Sequence, residues 1–408
     1  MKKTLLKRFT SVTLATALIG TMGVAAFAED ANPTEGKTIT ISKQLNIAQG
    51  LEAPTTDFNF VFTKKTEDGN TTTTTAMPDL SGKVSYNKDT DTDADGYVMK
   101  NVTVDPATAT WGHAGEYVYE VTETKGSVTG VTYDETSKYT VTIYVKNGDN
   151  GLEVDKIVVK DKDGKKVDVD TPDPTTKPED DTDDLASGMK FTNTYTKIAD
   201  STPTGRTEDP DTTETEASAS YVVTKTVDGT YGDKTKQFKF TMTVDTTKTN
   251  VASPTIKYYK LGADKTTVTD ITPAADGTVS FALADGEKLV VEGAPVGTLY
   301  TVTENLSADD AAAKKYAAGT VVTEKGVVNT TKGTTLKVND DTTWGKDVKV
   351  ENALVADGEN SAAYTNENAK DDTTTPTGIL INNAPYIILA LVAAGGMTFY
   401  VVKKRKEN

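Results

Sequence analysis

The sequence predicts an all-β chain built from two tandem β-sandwich domains, and three observations predict it. Val, Thr and Tyr recur in short alternating runs, the pattern of half-buried strands. Turn clusters such as Glu67-Asp68-Gly69-Asn70 and Asn147-Gly148-Asp149-Asn150-Gly151 separate those runs at regular spacing. One succession of strands also occurs twice: a strand with an inward lysine, a Phe-x-Phe strand, a Tyr-x-Val-Thr-Glu strand, and a final strand ending in Thr-Asn.

At the N-terminus, Lys2, Lys3, Lys7 and Arg8 precede an apolar run that finishes in Ala26-Phe27-Ala28, so residues 1–28 read as a secretory signal peptide. The first domain is placed at residues 32–198. Strand side chains alternate, so Ile39, Ile41, Lys43, Leu45 and Ile47 share one face and Lys43 points inward. Phe58 and Phe60 mark the next strand. Tyr117, Tyr119, Val121 and Glu123 line up on one face of a later strand, as do Met189, Phe191, Asn193 and Tyr195 on the last. The stretch from Asp168 to Ser187, rich in Asp, Pro and Thr, reads as a solvated acidic loop. Residues 199–217 contain Pro203 and Pro210 and lack apolar periodicity, which assigns them to a linker.

The second domain is placed at residues 218–369. Tyr221, Val223, Lys225 and Val227 repeat the lysine strand, Phe238 and Phe240 the Phe-x-Phe strand, and Tyr300, Val302 and Glu304 the glutamate strand. Lysine to glutamate spans 80 residues in the first domain and 79 in the second. Asp309 to Tyr316 is the one helical pattern. The last strand carries Tyr364 and Asn366 but is thinned by Ala362 and Ala363, with Asn368 as an in-phase alternative to Asn366.

Residues 370–378 form a Thr- and Asp-rich linker ending in Thr375, Pro376, Thr377 and Gly378. Residues 379–408 hold an apolar run from Ala384 to Val402, long enough to span a bilayer, and a basic tail from Lys403 to Lys406. This order of motif, apolar span and basic tail resembles the sortase sorting signal. In that signal a sortase cysteine attacks the Thr carbonyl, releases the Gly and all that follows, and passes the new C-terminus to an amine. The family pattern is LPxTG, and this chain has the variant TPTG. A second TPTG, Thr202 to Gly205, has no apolar span after it and belongs with the linker.

Composition narrows the function classes. The chain has no cysteine, so neither disulfides nor a thiol nucleophile are available to an exported protein that could have used them. Its net charge of −16 argues against nucleic acid or an anionic membrane face as partner, and loss of the two basic ends leaves the remainder more acidic still. His113, the single histidine, sits in no GxSxG-type context, so no hydrolase site is expected. Asp91, Asp93, Asp95 and Gly96 imitate the start of a calcium loop, but the twelfth position is Val102 where a bidentate Glu is required. No metal or cofactor is expected, and the chain reads as a structural protein rather than an enzyme.

With these residues in place the chain resembles a Gram-positive major pilin of the streptococcal two-domain type, in which immunoglobulin-like domains form internal Lys-Asn isopeptide bonds. The motifs that carry the resemblance are ITISKQL, YVYEVTETK before GVTYD, KFTNTY, and APVGTLYTVTEN together with the sorting signal. The resemblance implies that Lys43 joins Asn193 with Glu123 assisting, and that Lys225 joins Asn366 with Glu304 assisting. It also implies a sortase, neighbouring subunits and peptidoglycan as partners, a place at the cell surface or wall, and an acceptor lysine at Lys166, with Lys165, Lys177 and Lys190 as competitors. A minor pilin or singly anchored surface adhesin is the alternative. Physics allows the crosslink independently: burial lowers a Lys pKa and raises that of Glu, so a buried pair can sit as neutral amine and neutral acid. A buried ion pair with a hydrogen-bonded Asn is the other reading of each triad.

Overall fold

The computed structural model describes residues 37–71, 77–91, 96–167, 188–206, 218–309 and 315–368. The signal peptide, the acidic loop, the sorting motif and the apolar C-terminal run fall outside the described residues, as do Asp93, Asp95 and Lys177. Among the described residues the regular structure is β-strand with short 3₁₀ turns such as Pro106–Thr108, and no helix is long and apolar enough to cross a membrane. The expected all-β class is what forms. Of the helical pattern at 309–316, residues 310–314 lie outside the description. Tyr316 is the first residue of a strand, Tyr316–Glu324, because Tyr316, Ala317 and Ala318 are drawn into pairing with the last strand.

In the first sandwich a four-stranded sheet runs in the order Tyr97–Val104, Ile39–Ile47, Met189–Tyr195, Val131–Thr132. It faces a six-stranded sheet ordered Ser81–Tyr86, Thr56–Glu67, Gly115–Glu123, Lys138–Gly148, Gly151–Lys160, Lys166–Val167. The predicted inward faces are the buried ones: Ile39, Ile41, Leu45 and Ile47 pack against Phe58, Phe60, Tyr117, Tyr119, Val121 and Phe191.

The second sandwich enlarges the lysine sheet to seven strands: Val268–Ile271, Lys257–Leu261, Lys288–Glu292, Tyr221–Asp228, Ser361–Asn368, Tyr316–Glu324, Val327–Thr334. The facing sheet has four, in the order Val279–Leu283, Phe238–Asp245, Leu299–Glu304, Val348–Leu354. Ala362 and Tyr364 are fully buried, so the thin last strand is nonetheless a full core strand.

Each sandwich closes in the same way, with its first and last strands paired in parallel. Lys43 lies opposite Phe191 and Leu45 opposite Asn193; Lys225 lies opposite Tyr364 and Val227 opposite Asn366. In both, the asparagine sits two residues beyond the lysine's partner, on the same face.

The first part of the expected linker is not free chain. Thr202–Pro203 pairs with Ser218–Ala219, and Ala199, Thr202 and Thr204 are buried. Ser220 Oγ donates to the Ala199 carbonyl, and Thr202 Oγ accepts the Asn360 N–H at 2.9 Å. Polar composition concealed this because the strap docks through its backbone and hydroxyls rather than through an apolar stripe. The same strap joins the sandwiches: Val296 N–H donates to the Lys197 carbonyl, and Lys197 Nζ pairs with Asp357 at 2.7 Å. Gly297 makes the approach possible, since it holds a positive φ and a Cβ there would come within 2.6 Å of Ala48.

Candidate functional site

Each sandwich core holds one Lys-Glu-Asn cluster. The lysine and asparagine come from the paired first and last strands, and the glutamate reaches across from the facing sheet. Its register is set by the Phe-x-Phe strand, where Phe60 pairs with Glu123 and Phe240 with Glu304. The rings then floor the lysines: Lys43 Nζ lies 4.8 Å from the Phe58 centroid and Lys225 Nζ 4.3 Å from that of Phe238. In the first cluster Lys43 Nζ donates to Glu123 Oε2 at 2.6 Å, and Asn193 Nδ2 donates to Glu123 Oε1 at 2.5 Å. In the second, Glu304 Oε1 accepts from both Lys225 Nζ (2.8 Å) and Asn366 Nδ2 (2.6 Å). The lysine and glutamate side chains of both pairs have no solvent exposure.

Asn368, the in-phase rival, instead donates to the Tyr231 carbonyl, so geometry selects Asn366 as the residue against Glu304. Tyr364, where the first domain has Phe191, uses its hydroxyl to bond the Val302 carbonyl at 2.7 Å, tying the last strand to the glutamate strand.

Burial dominates the electrostatics. Desolvation pulls both Lys43 and Lys225 down to about 8 despite the neighbouring carboxylates, and it raises Glu123 and Glu304 despite the neighbouring ammonium groups. Burial therefore weakens each ion pair and favours the neutral amine and neutral acid form more than water would. In each cluster an amine and an amide are both hydrogen-bonded to one buried carboxyl group, and amine, amide and proton carrier are the components of acyl transfer from asparagine to lysine.

One group at the first cluster was not singled out from the sequence. Asp134, at the end of the GVTYD motif, directs its backbone N–H at Asn193 Oδ1 with a separation of 2.7 Å. Its turn chemistry was visible in the motif, but nothing in strand periodicity says where a turn N–H points.

The remaining expectations lie elsewhere. Lys165 and Lys166 are exposed, with Lys166 on the two-residue edge strand paired to Lys160, whereas Lys190 is half-buried on the last strand. His113 bonds Glu67 at 2.7 Å beside Tyr117 at the surface. Asp91 accepts the Asn87 N–H and Lys100 Nζ. No cluster of potential metal ligands occurs among the described residues.

Comparison with known proteins gives the following. Residues 39–196 match the family described as Spy0128-like isopeptide containing domain, and residues 220–344 match a domain of unknown function, DUF7601. A pilin of Streptococcus pyogenes serotype M1 is 29% identical over 395 residues, covering 94% of this chain and 97% of that protein. The pilus tip adhesin Cpa of Streptococcus pyogenes is 38% identical over 87 residues, or 21% of this chain and 12% of that protein. Among solved structures, the major pilin from Streptococcus pyogenes is 25% identical, with 82% of this chain and 99% of that one covered at a TM-score of 0.33.

Proposed function

We infer that this chain belongs to the pilins built on the Spy0128-like isopeptide containing domain and serves as the structural backbone subunit of a pilus on a Gram-positive cell surface. Similarity to a pilin runs almost end to end, whereas similarity to the tip adhesin is confined to 87 residues, which favours backbone over minor subunit.

The observation that carries the mechanism is the repeated cluster: the same three residue types, from the same three strands, in the same register, buried twice. On this reading Lys43 Nζ, unprotonated, attacks Asn193 Cγ; the Cγ–Nδ2 bond breaks; one amine proton passes through Glu123 to the departing nitrogen, and ammonia leaves. Lys225, Glu304 and Asn366 do the same in the second sandwich. Holding amine and amide on paired strands against one carboxyl group replaces a slow bimolecular reaction by an intramolecular one, an effect worth roughly 7 to 11 kcal/mol. Each glutamate acts once, so the chain is a self-modifying structural protein.

Subunits would be joined by a sortase that transfers Thr377, within Thr375, Pro376, Thr377 and Gly378, to a lysine of the next subunit or finally to peptidoglycan. Lys166 is the proposed acceptor, being exposed on an edge strand where a bulky enzyme intermediate can approach.

Intact mass of the protein spanning residues 32–377 tests the crosslinks. The expected result is a deficit of two ammonia molecules, with one restored by Glu123→Ala and one by Glu304→Ala, and the linked residues found by peptide mapping. A full, unmodified mass in folded protein would reject the mechanism and leave two buried polar clusters.

A further inference from the structure

We propose that the backbone N–H of Asp134 is the oxyanion donor of the first domain's crosslinking reaction, and that the second domain works without an equivalent. The inference rests on the acyl-transfer reading above.

A backbone N–H can only donate, so its 2.7 Å contact fixes the Asn193 amide with Oδ1 toward Asp134 and Nδ2 toward Glu123. That is the productive orientation. When Lys43 Nζ bonds to Cγ, the negative charge develops on Oδ1, already hydrogen-bonded to Asp134, while Nδ2 faces the acid that must protonate it. Collapse then expels ammonia and re-forms the carbonyl as an isopeptide, with atoms and charge conserved.

The donor is held in place by its own side chain. Asp134 Oδ1 accepts the N–H groups of Thr136 and Ser137 and the Thr136 hydroxyl, and Oδ2 accepts the N–H of Thr192 on the last strand. The turn is thus bolted to the strand that carries Asn193. The local break in pairing is what frees the N–H: the Val131–Thr132 strand stops after two residues.

In the second domain the corresponding chain does not break. Tyr316 packs edge-on against Phe238, as Tyr133 is tilted against Phe58 in the first domain, but the strand runs on to Glu324 in pairing with the last strand. Ala317 and Ala318 stand opposite Glu367 and Asn366 in that ladder. Asn366 Oδ1 is buried with no hydrogen-bond donor among the described residues. Two domains with the same three reacting groups therefore differ in the one group that stabilises the intermediate.

The test follows the two bonds in one molecule. Chains of residues 32–377 isolated unfolded from inclusion bodies are refolded at low pH, where the amines stay protonated, and jumped to neutral pH. Peptide-resolved mass spectrometry then follows each ammonia loss. Replacing the residue 134 amide by an ester removes the N–H and keeps the side chain. The expected result is a drop of about 10²-fold or more in the first bond's rate with the second unchanged, the size known for loss of one oxyanion donor. Asp134→Ala, which keeps the N–H but unbolts the turn, should slow the first bond, and Asp134→Asn, whose one oxygen can keep the bonds to Thr136 and Ser137 but not also that to Thr192, should fall between Asp134→Ala and wild type. An unchanged first-bond rate in the ester chain, or equal slowing of both bonds, overturns the proposal, as does an Asp134→Ala rate equal to wild type should the ester chain fail to fold. Absence of ammonia loss in wild type would instead reject the crosslinking reading itself.

Discussion

At the scale of single residues, the behaviour of each cluster is set by a shared proton. With Lys43 pulled to about 8 and Glu123 raised, the pair holds one proton over a window bounded above near pH 8 and below by the glutamate's elevated pKa. Inside that window the reactive form, amine neutral and acid protonated, is a fixed fraction of the total. Below it a second proton blocks the amine; above it the acid has none to give. The rate of ammonia loss in the first domain is therefore expected to be bell-shaped, falling on the alkaline side through about pH 8. Asp134 faces this pair; in the second domain Asp285 acts on Lys225 and Asp309 on Glu304. A rate that keeps climbing to pH 10 would rule out proton donation by the glutamate. Glu123→Ala carries a second cost, since it strands a buried lysine. Loss of about 3 to 5 kcal/mol beyond that of Asn193→Ala, which also prevents the bond but keeps the pair, is expected in denaturant unfolding.

At the scale of elements, the sequence made legible which residues share a face but not which strands are neighbours. Period-two alternation brought Lys43, Tyr119, Phe191 and Asn193 to the core side, because one face of each strand is apolar. Parallel pairing of first and last strands could not be read the same way, since alternation carries no information on the partner. The strap at 199–206 was hidden for a different reason: its anchors are Thr, Ser and Asn, residues that look like linker until their bonds are seen. Asn360 is the hub, its Nδ2 donating to the Ser220, Ala356 and Gly358 carbonyls and its Oδ1 accepting from Lys325 and Ala356. This strap contains the internal TPTG. Thr204, whose carbonyl a sortase would attack, is buried, and that carbonyl accepts Lys288 Nζ at 2.8 Å. A sortase that accepts Thr377 should therefore leave Thr204 intact in the folded protein. Asn360→Ala, which leaves several buried backbone groups unpaired and costs about 3 kcal/mol, should make a Thr204 product appear in the mass spectrum. Equal cleavage at both sites in folded wild type would contradict the masking.

At the scale of the whole molecule, the position of the proposed crosslinks would determine how load travels. A pull applied at the two ends of the chain enters each sandwich at the start of its first strand and leaves at the end of its last, and these strands lie side by side and parallel. Hydrogen bonds alone would be loaded in shear and could yield. A Lys43–Asn193 bond short-circuits that path, so force passes from the first strand to the last and leaves the residues between unloaded. The same link shortens the conformational freedom of the unfolded chain, and closure of loops of about 150 and about 140 residues would stabilise each domain by about 5 kcal/mol in the chain-entropy treatment. The mechanical consequence separates the bond from ordinary stability. Stretched end to end in a single-molecule experiment, wild type should extend without any domain-unfolding step. Asn366→Ala should unmask one step from the second sandwich, releasing the chain between Lys225 and position 366, at most roughly 480 Å for about 140 residues. Asn193→Ala should unmask the first in the same way. A step of that length in fully crosslinked wild type would mean that force does not run through the paired first and last strands, and the load path drawn from their parallel register would have to be abandoned.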